Sequence, residues 1–212
     1  MGWWENWVVP RITEVACGSR ELRPWRERTC AGLHGRVLEL GFGSGHNTGL
    51  YPAAVTSVSA VEPSDVGWEL SAQRRARSKI PIERTGLDGQ ALTSADAAFD
   101  SALSTFTLCT IPDAVAALRE VRRVLVPGGT IHFLEHGLAP DDGVARWQRR
   151  LEPAQRAFSG GCHLTRDIPD LLAAAGFEVL DLAEQYLPGP KAARPWSYGY
   201  LGRAVAAGSA PR

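Results

Sequence analysis

Short apolar runs bounded by glycine, proline or polar residues recur along the chain and predict β-strands. The first run, at 35–40, leads directly into glycines, as a buried parallel strand does. The second, at 55–61, is rich in β-branched residues and stops before Pro63, which cannot extend a hydrogen-bonded ladder. Further strands are predicted at 80–84, 99–106, 130–135, 177–186 and 196–206.

Helical patterns separate most of these strands. The stretches 64–79 and 168–175 have helical composition, and 113–126 carries its apolar residues on one face. A Pro-Gly-Gly sequence at 127–129 should end that helix. The last two predicted strands have no convincing helix between them, which indicates an antiparallel pair. The pattern therefore predicts an α/β protein with a Rossmann-like doubly wound sheet, mostly parallel with one antiparallel edge hairpin strand.

The chain of 212 residues suits a single domain. We expect an N-terminal helical cap at 1–34, a core at 35–206 and a lid at 138–166, where the alternation of strands and helices is interrupted. Lysine plus arginine equals aspartate plus glutamate at 23 each, which argues against a nucleic-acid surface and favours a small organic substrate.

Four cysteines stand singly in the sequence: Cys17, Cys30, Cys109 and Cys162. There is no CxxC pair, and the one neighbouring histidine is His163, so we predict no metal site.

The N-terminal sequence has no basic run before an apolar stretch, and no segment is apolar enough for a bilayer span, so we expect a cytoplasmic protein. Trp3, Trp4 and Trp7 leave two alternatives: a helix packed over the substrate side, or transient contact with a membrane surface.

Three alternate glycines, Gly41, Gly43 and Gly45, follow the first predicted strand. Such glycines let the backbone approach a ligand closely. The dinucleotide fingerprint is GxGxxG, and its third glycine would fall at His46, which weakens a pyrophosphate interpretation.

Two carboxylates offer a different anchor for a ligand. Glu39, before the glycines, could accept from an ammonium group, and Glu62, with Pro63 at the tip of the second strand, could accept both hydroxyls of a ribose. S-adenosylmethionine has both groups. Residue chemistry alone leaves a third segment open: Asp88, Gly89 and Gln90 could contact adenine or form a surface turn.

Several motifs carry a resemblance to a known family: VLELGFGSG, VEPS, LDGQALTSADAAFD, REVRRVLVPGG and TIHFLEH. In order and spacing they resemble the motifs of class I S-adenosylmethionine-dependent methyltransferases. More narrowly, GHNTGLYP, TLCTIPD, FLEHG and GCHLTR resemble the microsomal methyltransferase-like alkyl thiol S-methyltransferases and their bacterial relatives. The similarity covers about residues 35–204.

The resemblance implies a seven-stranded sheet and S-adenosylmethionine as the cofactor. It implies that Glu39 and the alternate glycines surround the methionine part, Glu62 the ribose, and residues 88–90 the adenine. Three further residues would border the sulfonium at the end of the fourth strand: Ser104, Thr105 and Phe106. The family usually has a smaller residue at the position of Phe42.

The acceptor side is expected after the fifth strand. A thiol acceptor reacts as its thiolate, and His136, beside Glu135 at a strand end, is the first candidate for the base; a structural role for both is the alternative. His163, beside Cys162, is the second candidate. Aromatic side chains that could line an apolar pocket are Trp4, Trp7, Trp25, Trp147 and Phe158.

The leading hypothesis is methyl transfer to a small, lipophilic acceptor such as a thiol. A phospholipid or a quinone or phenol acceptor is the nearest alternative. From other classes, an NAD-dependent oxidoreductase and a non-catalytic S-adenosylmethionine-binding protein also remain as alternatives.

Overall fold

A computed structural model describes residues 7–208 and contains a seven-stranded mixed sheet. The strand order is β3-β2-β1-β4-β5-β7-β6. β7 is antiparallel to both of its neighbours, so it forms a hairpin-like pair with the edge strand β6. This confirms the predicted fold class. The strands are β1 (Gly35–Leu40), β2 (Val55–Val61), β3 (Ile82–Gly86), β4 (Phe99–Thr105), β5 (Leu125–His136), β6 (Phe177–Tyr186) and β7 (Tyr198–Ala206).

Helices precede the first strand and connect most of the others. Two short 3-10 helices are also present: Arg20–Leu22 lies between the first and second α-helices, and Lys191–Ala193 precedes the last α-helix. None of the helices within residues 7–208 is long and apolar enough to cross a membrane. The α-helices are α1 (Val9–Cys17), α2 (Arg23–Cys30), α3 (Asp65–Leu70), α4 (Ala72–Ala76), α5 (Ala114–Val124), α6 (Asp142–Phe158), α7 (Ile168–Ala174) and α8 (Arg194–Ser197).

Two of the differences from the predicted bounds have a clear cause in the contacts of the chain. α5 ends at Val124, and the Pro-Gly-Gly sequence lies inside β5 rather than in a loop, because Leu125 already pairs with Phe99 of β4. The predicted helix at 64–79 is divided at Ser71, whose hydroxyl donates to the carbonyl of Trp68 at 2.6 Å. A serine that bonds to the preceding turn in this way competes with regular helix.

The core lies on both faces of the central strands. Leu38, Leu103 and Phe133, from β1, β4 and β5, are fully buried. Buried parallel strands are largely apolar, as β1 and β5 are, whereas β4 also buries Ser101 and Ser104. The core fixes the carboxyl ends of β1 and β4, where the candidate site begins.

The N-terminal helices cover the loop that follows β1. Glu14 of α1 is 2.8 Å from Arg74 of α4 and 3.2 Å from His46 in that loop. Trp3 and Trp4 lie outside the described residues, and Trp7 is 52% exposed.

Candidate active site

The sheet order reverses between β1 and β4, because β2 and β3 lie on one side of β1 and β4 and β5 on the other. In doubly wound sheets, ligands bind in the crevice at the carboxyl ends of the strands beside such a reversal. The predicted cofactor residues lie in the last positions of β1 and β4 and in the segments that follow β1, β2, β3 and β4 at this end of the sheet.

The glycine loop after β1 needs glycine for two different reasons. Gly41, Gly43 and Gly45 all have positive φ angles, of 62°, 56° and 77°. A Cβ on Gly41 would lie 2.1 Å from Thr107 Oγ1, so this glycine allows two protein segments to pack. A Cβ on Gly43 would meet no protein atom nearer than 3.9 Å. Gly43 therefore presents bare backbone to the crevice.

Glu62 holds the glycine loop against the end of β2. Its carboxylate accepts from the backbone N–H of Gly43 at 2.6 Å and of Ser64 at 2.7 Å. Burial raises the pKa of Glu62, while these two bonds lower it in part. Each oxygen keeps a further lone pair, so the carboxylate can still accept from two ligand hydroxyls. Pro63, beside it, is exposed.

Glu39 is buried and engaged by the chain itself. Asn47 Nδ2 donates to one oxygen at 2.9 Å, and the hydroxyl of Tyr51 donates to the other. Burial raises the pKa of Glu39 to about 7, although these bonds and Arg26 lower it in part. Glu39 therefore holds the segment after the glycines through Asn47 and Tyr51. Its contact with a ligand ammonium stays a prediction.

Arg26 of α2 links the N-terminal cap to this network. Its guanidinium donates to Asn47 Oδ1 at 2.8 Å, to Thr105 Oγ1 at 3.0 Å and to the carbonyl of Cys17 at 3.1 Å. It also lies 5.3 Å from the ring centre of Phe106. An arginine that is only 5% exposed thus joins the cap to the ends of β1 and β4.

The segment after β3 forms a turn. Asp88 Oδ1 accepts from the backbone N–H of Gln90 at 2.8 Å, and Gln90 Oε1 accepts from the N–H of Asp113 at 2.9 Å. Asp88 is exposed and Gly89 is buried against Leu40 of β1. The turn is thus packed beside β1, and contact with adenine stays a prediction.

The residues that end β4 are held by Glu135. Ser104 Oγ donates to Glu135 Oε1 at 2.7 Å, and the carboxylate also accepts from the backbone N–H groups of Thr107 and Leu108 at 2.9 and 3.2 Å. Burial raises the pKa of Glu135 to about 6. Phe106 has a φ of 54°, a strained conformation for a bulky residue that recurs at functional sites. Glu135 fixes this strained loop.

His136 and His163 have different surroundings. His136 Nε2 lies 3.2 Å from Cys162 Sγ, and contacts with Cys109 and His136 lower the pKa of that thiol. His163 Nδ1 lies 2.7 Å from Glu152 of α6, and its backbone N–H donates to the carbonyl of Cys109 at 2.8 Å. His136 thus belongs to a thiol cluster, whereas His163 is paired with the helix of the predicted lid.

The predicted aromatic lining is only partly assembled. Trp25 packs beside Phe106 against a cluster around Leu134. Trp147 and Phe158, on α6, are 55% and 65% exposed. These two side chains therefore form an outer surface of the lid segment in this structure.

Sequence reasoning missed four residues of the site: Arg26, Asn47, Tyr51 and Thr107. Asn47 and Tyr51 lie within eight and twelve residues of Glu39, so polar residues just after the glycines were an available signal. Arg26 gave none, because its partners lie up to 79 residues away.

Known proteins with similar sequences include methyltransferases. Residues 38–133 match the model of a methyltransferase domain. Thiol S-methyltransferase TMT1B of Rattus norvegicus is 32% identical over 173 residues, which cover 80% of this chain and 70% of the rat protein. Phosphatidylethanolamine N-methyltransferase of Cereibacter sphaeroides is 33% identical over 166 residues, covering 74% of this chain and 78% of that protein. A solved S-adenosylmethionine-dependent methyltransferase of Leishmania major superposes with a TM-score of 0.69 at 17% identity, covering 95% of this chain and 80% of that one.

Proposed function

Because this chain belongs to the class I S-adenosylmethionine-dependent methyltransferases, we propose that it methylates a small lipophilic acceptor whose reacting group is a thiol. The observation that carries the proposal is the similarity to thiol S-methyltransferases over 80% of the chain. Family membership also sets aside the dinucleotide oxidoreductase that the glycine motif left open.

The residues of the crevice fit an adenosyl sulfonium cofactor. The cofactor can approach the bare backbone at Gly43, since the nearest protein atom to a Cβ there would be 3.9 Å away. Glu62 would accept the ribose hydroxyls, and the turn at Asp88 to Gln90 would border adenine. When bound, S-adenosylmethionine supplies a methyl group that a nucleophile can take by in-line displacement.

The chain contributes alignment on the acceptor side. Glu135 holds the N–H groups of Thr107 and Leu108, and so fixes the loop beside the expected position of the sulfonium. Fixed geometry of this kind supplies much of the acceleration of a displacement reaction. The family resemblance supports Phe106 as a border of the reacting methyl. The position of His136 at the end of β5 supports it as the first candidate to act on the acceptor.

A phospholipid amine is the second candidate acceptor. The similarity to phosphatidylethanolamine N-methyltransferase favours it, as does an exposed apolar surface formed by Trp7, which precedes α1, and by Ile12 and Val15 of α1; these side chains are 52%, 53% and 78% exposed. The thiol stays the leading proposal because the thiol S-methyltransferases match a larger share of the chain.

The test has two stages. Calorimetric titration with S-adenosylhomocysteine should show binding to the wild type that Gly43→Asp and Glu62→Ala lose. Purified protein with methyl-labelled donor is then offered small alkyl thiols, phosphatidylethanolamine vesicles and a phenol. Label transferred to thiols alone supports the proposal, and label in the lipid moves the assignment to the second candidate. Cofactor binding without transfer to any acceptor would indicate a binding protein instead of an enzyme.

A further inference from the structure

Three sulfur and nitrogen ligands from separate parts of the chain converge beside the loop that follows β4. Cys109 lies in that loop, His136 ends β5, and Cys162 lies between α6 and α7. Their ligand atoms all lie within 4.8 Å of one another. No other group of three histidine, cysteine or acidic side chains within residues 7–208 comes this close.

The spacing is near that of ligands around a tetrahedral metal ion. Zn–S bonds of about 2.3 Å and Zn–N bonds of about 2.0–2.1 Å place tetrahedral ligand atoms roughly 3.5–3.8 Å apart. His136 Nε2 and Cys162 Sγ are 3.2 Å apart, and the largest separation within the group is at most 4.8 Å. Side-chain movements of about 1 Å would therefore give metal geometry.

The environment of the cluster also indicates a ligand. Cys109 is 2% and Cys162 is 7% exposed. His136 directs Nε2 toward Cys162 Sγ, whereas its other ring nitrogen, Nδ1, is buried without a hydrogen-bond partner among the described residues. The imidazole therefore offers Nε2 to the cluster. Two thiolates and an imidazole suit Zn²⁺, whereas Mg²⁺ and Ca²⁺ prefer oxygen.

We propose that Cys109, His136 and Cys162 bind one Zn²⁺ and leave its fourth position to the sulfur of the methyl acceptor. Three protein ligands with an open position are typical of catalytic zinc, and a coordinated thiol is deprotonated. The metal site stands on geometry alone, and the fourth ligand rests on the proposed thiol acceptor. His136 then serves as a ligand, not as the base expected from the sequence.

The cluster lies at the same end of the sheet as the cofactor residues. Thr107, two residues before Cys109, places its hydroxyl 3.5 Å from the carbonyl of Gly41. Glu135, directly before His136, fixes the backbone of Thr107. A thiol on the metal would thus be held at the carboxyl ends of β4 and β5, on the acceptor side of the glycine loop.

The reaction balances without an oxidant or reductant. Coordination releases the thiol proton to solvent, which leaves a thiolate on Zn²⁺. One sulfur–carbon bond then forms at the acceptor while the bond between the methyl carbon and the sulfonium sulfur breaks. The products are a methyl thioether and S-adenosylhomocysteine.

The first measurement is the zinc content of purified protein after loading with Zn²⁺ and dialysis. We expect one Zn²⁺ per chain in the wild type and in the control Cys17→Ser, and loss of the metal in Cys162→Ser. Binding of S-adenosylhomocysteine reports whether each variant is folded. If Cys162→Ser does not fold, His136→Gln replaces it as the cluster variant. Equal zinc in the wild type and in a folded cluster variant would overturn the metal site.

The second measurement replaces zinc with Co²⁺, whose thiolate charge-transfer absorption reports its ligands. The absorption should appear in the wild type, disappear in Cys162→Ser, and increase when a small alkyl thiol is added. An unchanged spectrum with thiol would overturn the proposed fourth position. Neither readout needs methyl transfer, so the two proposals can fail separately. If zinc binding depends on Cys162 but no thiol is methylated, the metal site is supported and the proposed acceptor is refuted.

Discussion

Replacement of Arg26 by methionine should separate the N-terminal cap from the cofactor crevice. Arg26 is 5% exposed and donates to Asn47, to Thr105 and to the carbonyl of Cys17. Methionine fills a similar volume but removes all three bonds; Asn47 Oδ1 and the carbonyl of Cys17 lose this donor, whereas Thr105 Oγ1 still accepts from Asn47 Nδ2. The positive charge near Glu39 is also removed, so the pKa of Glu39, already about 7, should rise further.

The cost follows from these three contacts. Hydrogen bonds from a charged donor contribute about 1.5–3 kcal/mol each. Burial of the guanidinium has a desolvation cost, and the same desolvation lowers the pKa of Arg26. Removal of the guanidinium removes this cost, which offsets part of the loss. Loss of one partner from a buried charged network costs about 3–5 kcal/mol, and we expect Arg26→Met to fall in that range.

Urea denaturation at pH 7 measures this cost, and calorimetry with S-adenosylhomocysteine measures the effect on the crevice. The matched control is Arg28→Met, since Arg28 is exposed on the same helix and should change stability by less than about 0.5 kcal/mol. Arg26→Met should also weaken ligand binding, because Asn47 and Thr105 lose their fixed positions. A variant within about 1 kcal/mol of the wild type, with unchanged affinity, would show that the network does not hold the site.

Two further predictions concern the glycine loop and the carboxylate below it. Gly41→Ala should destabilise the fold by more than about 3 kcal/mol, because its Cβ would lie 2.1 Å from Thr107 Oγ1. Gly43→Ala should cost only the roughly 1–2 kcal/mol of a positive φ yet weaken S-adenosylhomocysteine binding more than tenfold (about 1.4 kcal/mol); equal unfolding costs would contradict this difference. Glu39 has a folded pKa of about 7 against an ordinary 4.5, so its contribution is present below pH 4.5 and is lost as pH rises to about 7. Between pH 4.5 and 7 the wild type should therefore lose on the order of 3 kcal/mol more of its free energy of unfolding than Glu39→Gln does. Parallel profiles of unfolding free energy against pH for the two proteins would refute the raised pKa of Glu39.

The sheet could be predicted because each of its strands is a local pattern. β1, β2 and β6 have the predicted bounds, since apolar or β-branched runs there end at glycine, proline or polar residues. The end of α5 could not be predicted from Pro-Gly-Gly, because pairing of Leu125 with a distant strand decides where β5 begins. Local signals thus identify elements, while contacts between strands set some of their limits.

The two sides of the candidate site differed in the same way. Glu39, the glycines and Glu62 follow one another closely along β1 and β2, so chemistry and spacing identified a candidate ligand. The Cys109, His136 and Cys162 cluster is assembled from three elements, and the last two of these residues are 26 positions apart. A rule that seeks metal ligands at short spacing could not find it.

His46 connects the glycine motif to the cap. It stands where a dinucleotide fingerprint has its third glycine, and its Nε2 lies 3.1 Å from Ser44 Oγ and 3.2 Å from Glu14 of α1. The end of α1 also approaches it closely, since a Cβ on Gly18 would lie 2.6 Å from the imidazole. A glycine at position 46 would remove the imidazole contact and leave Glu14 with its ion pair to Arg74. The residue that weakens the pyrophosphate interpretation therefore also holds the cap over the glycine loop.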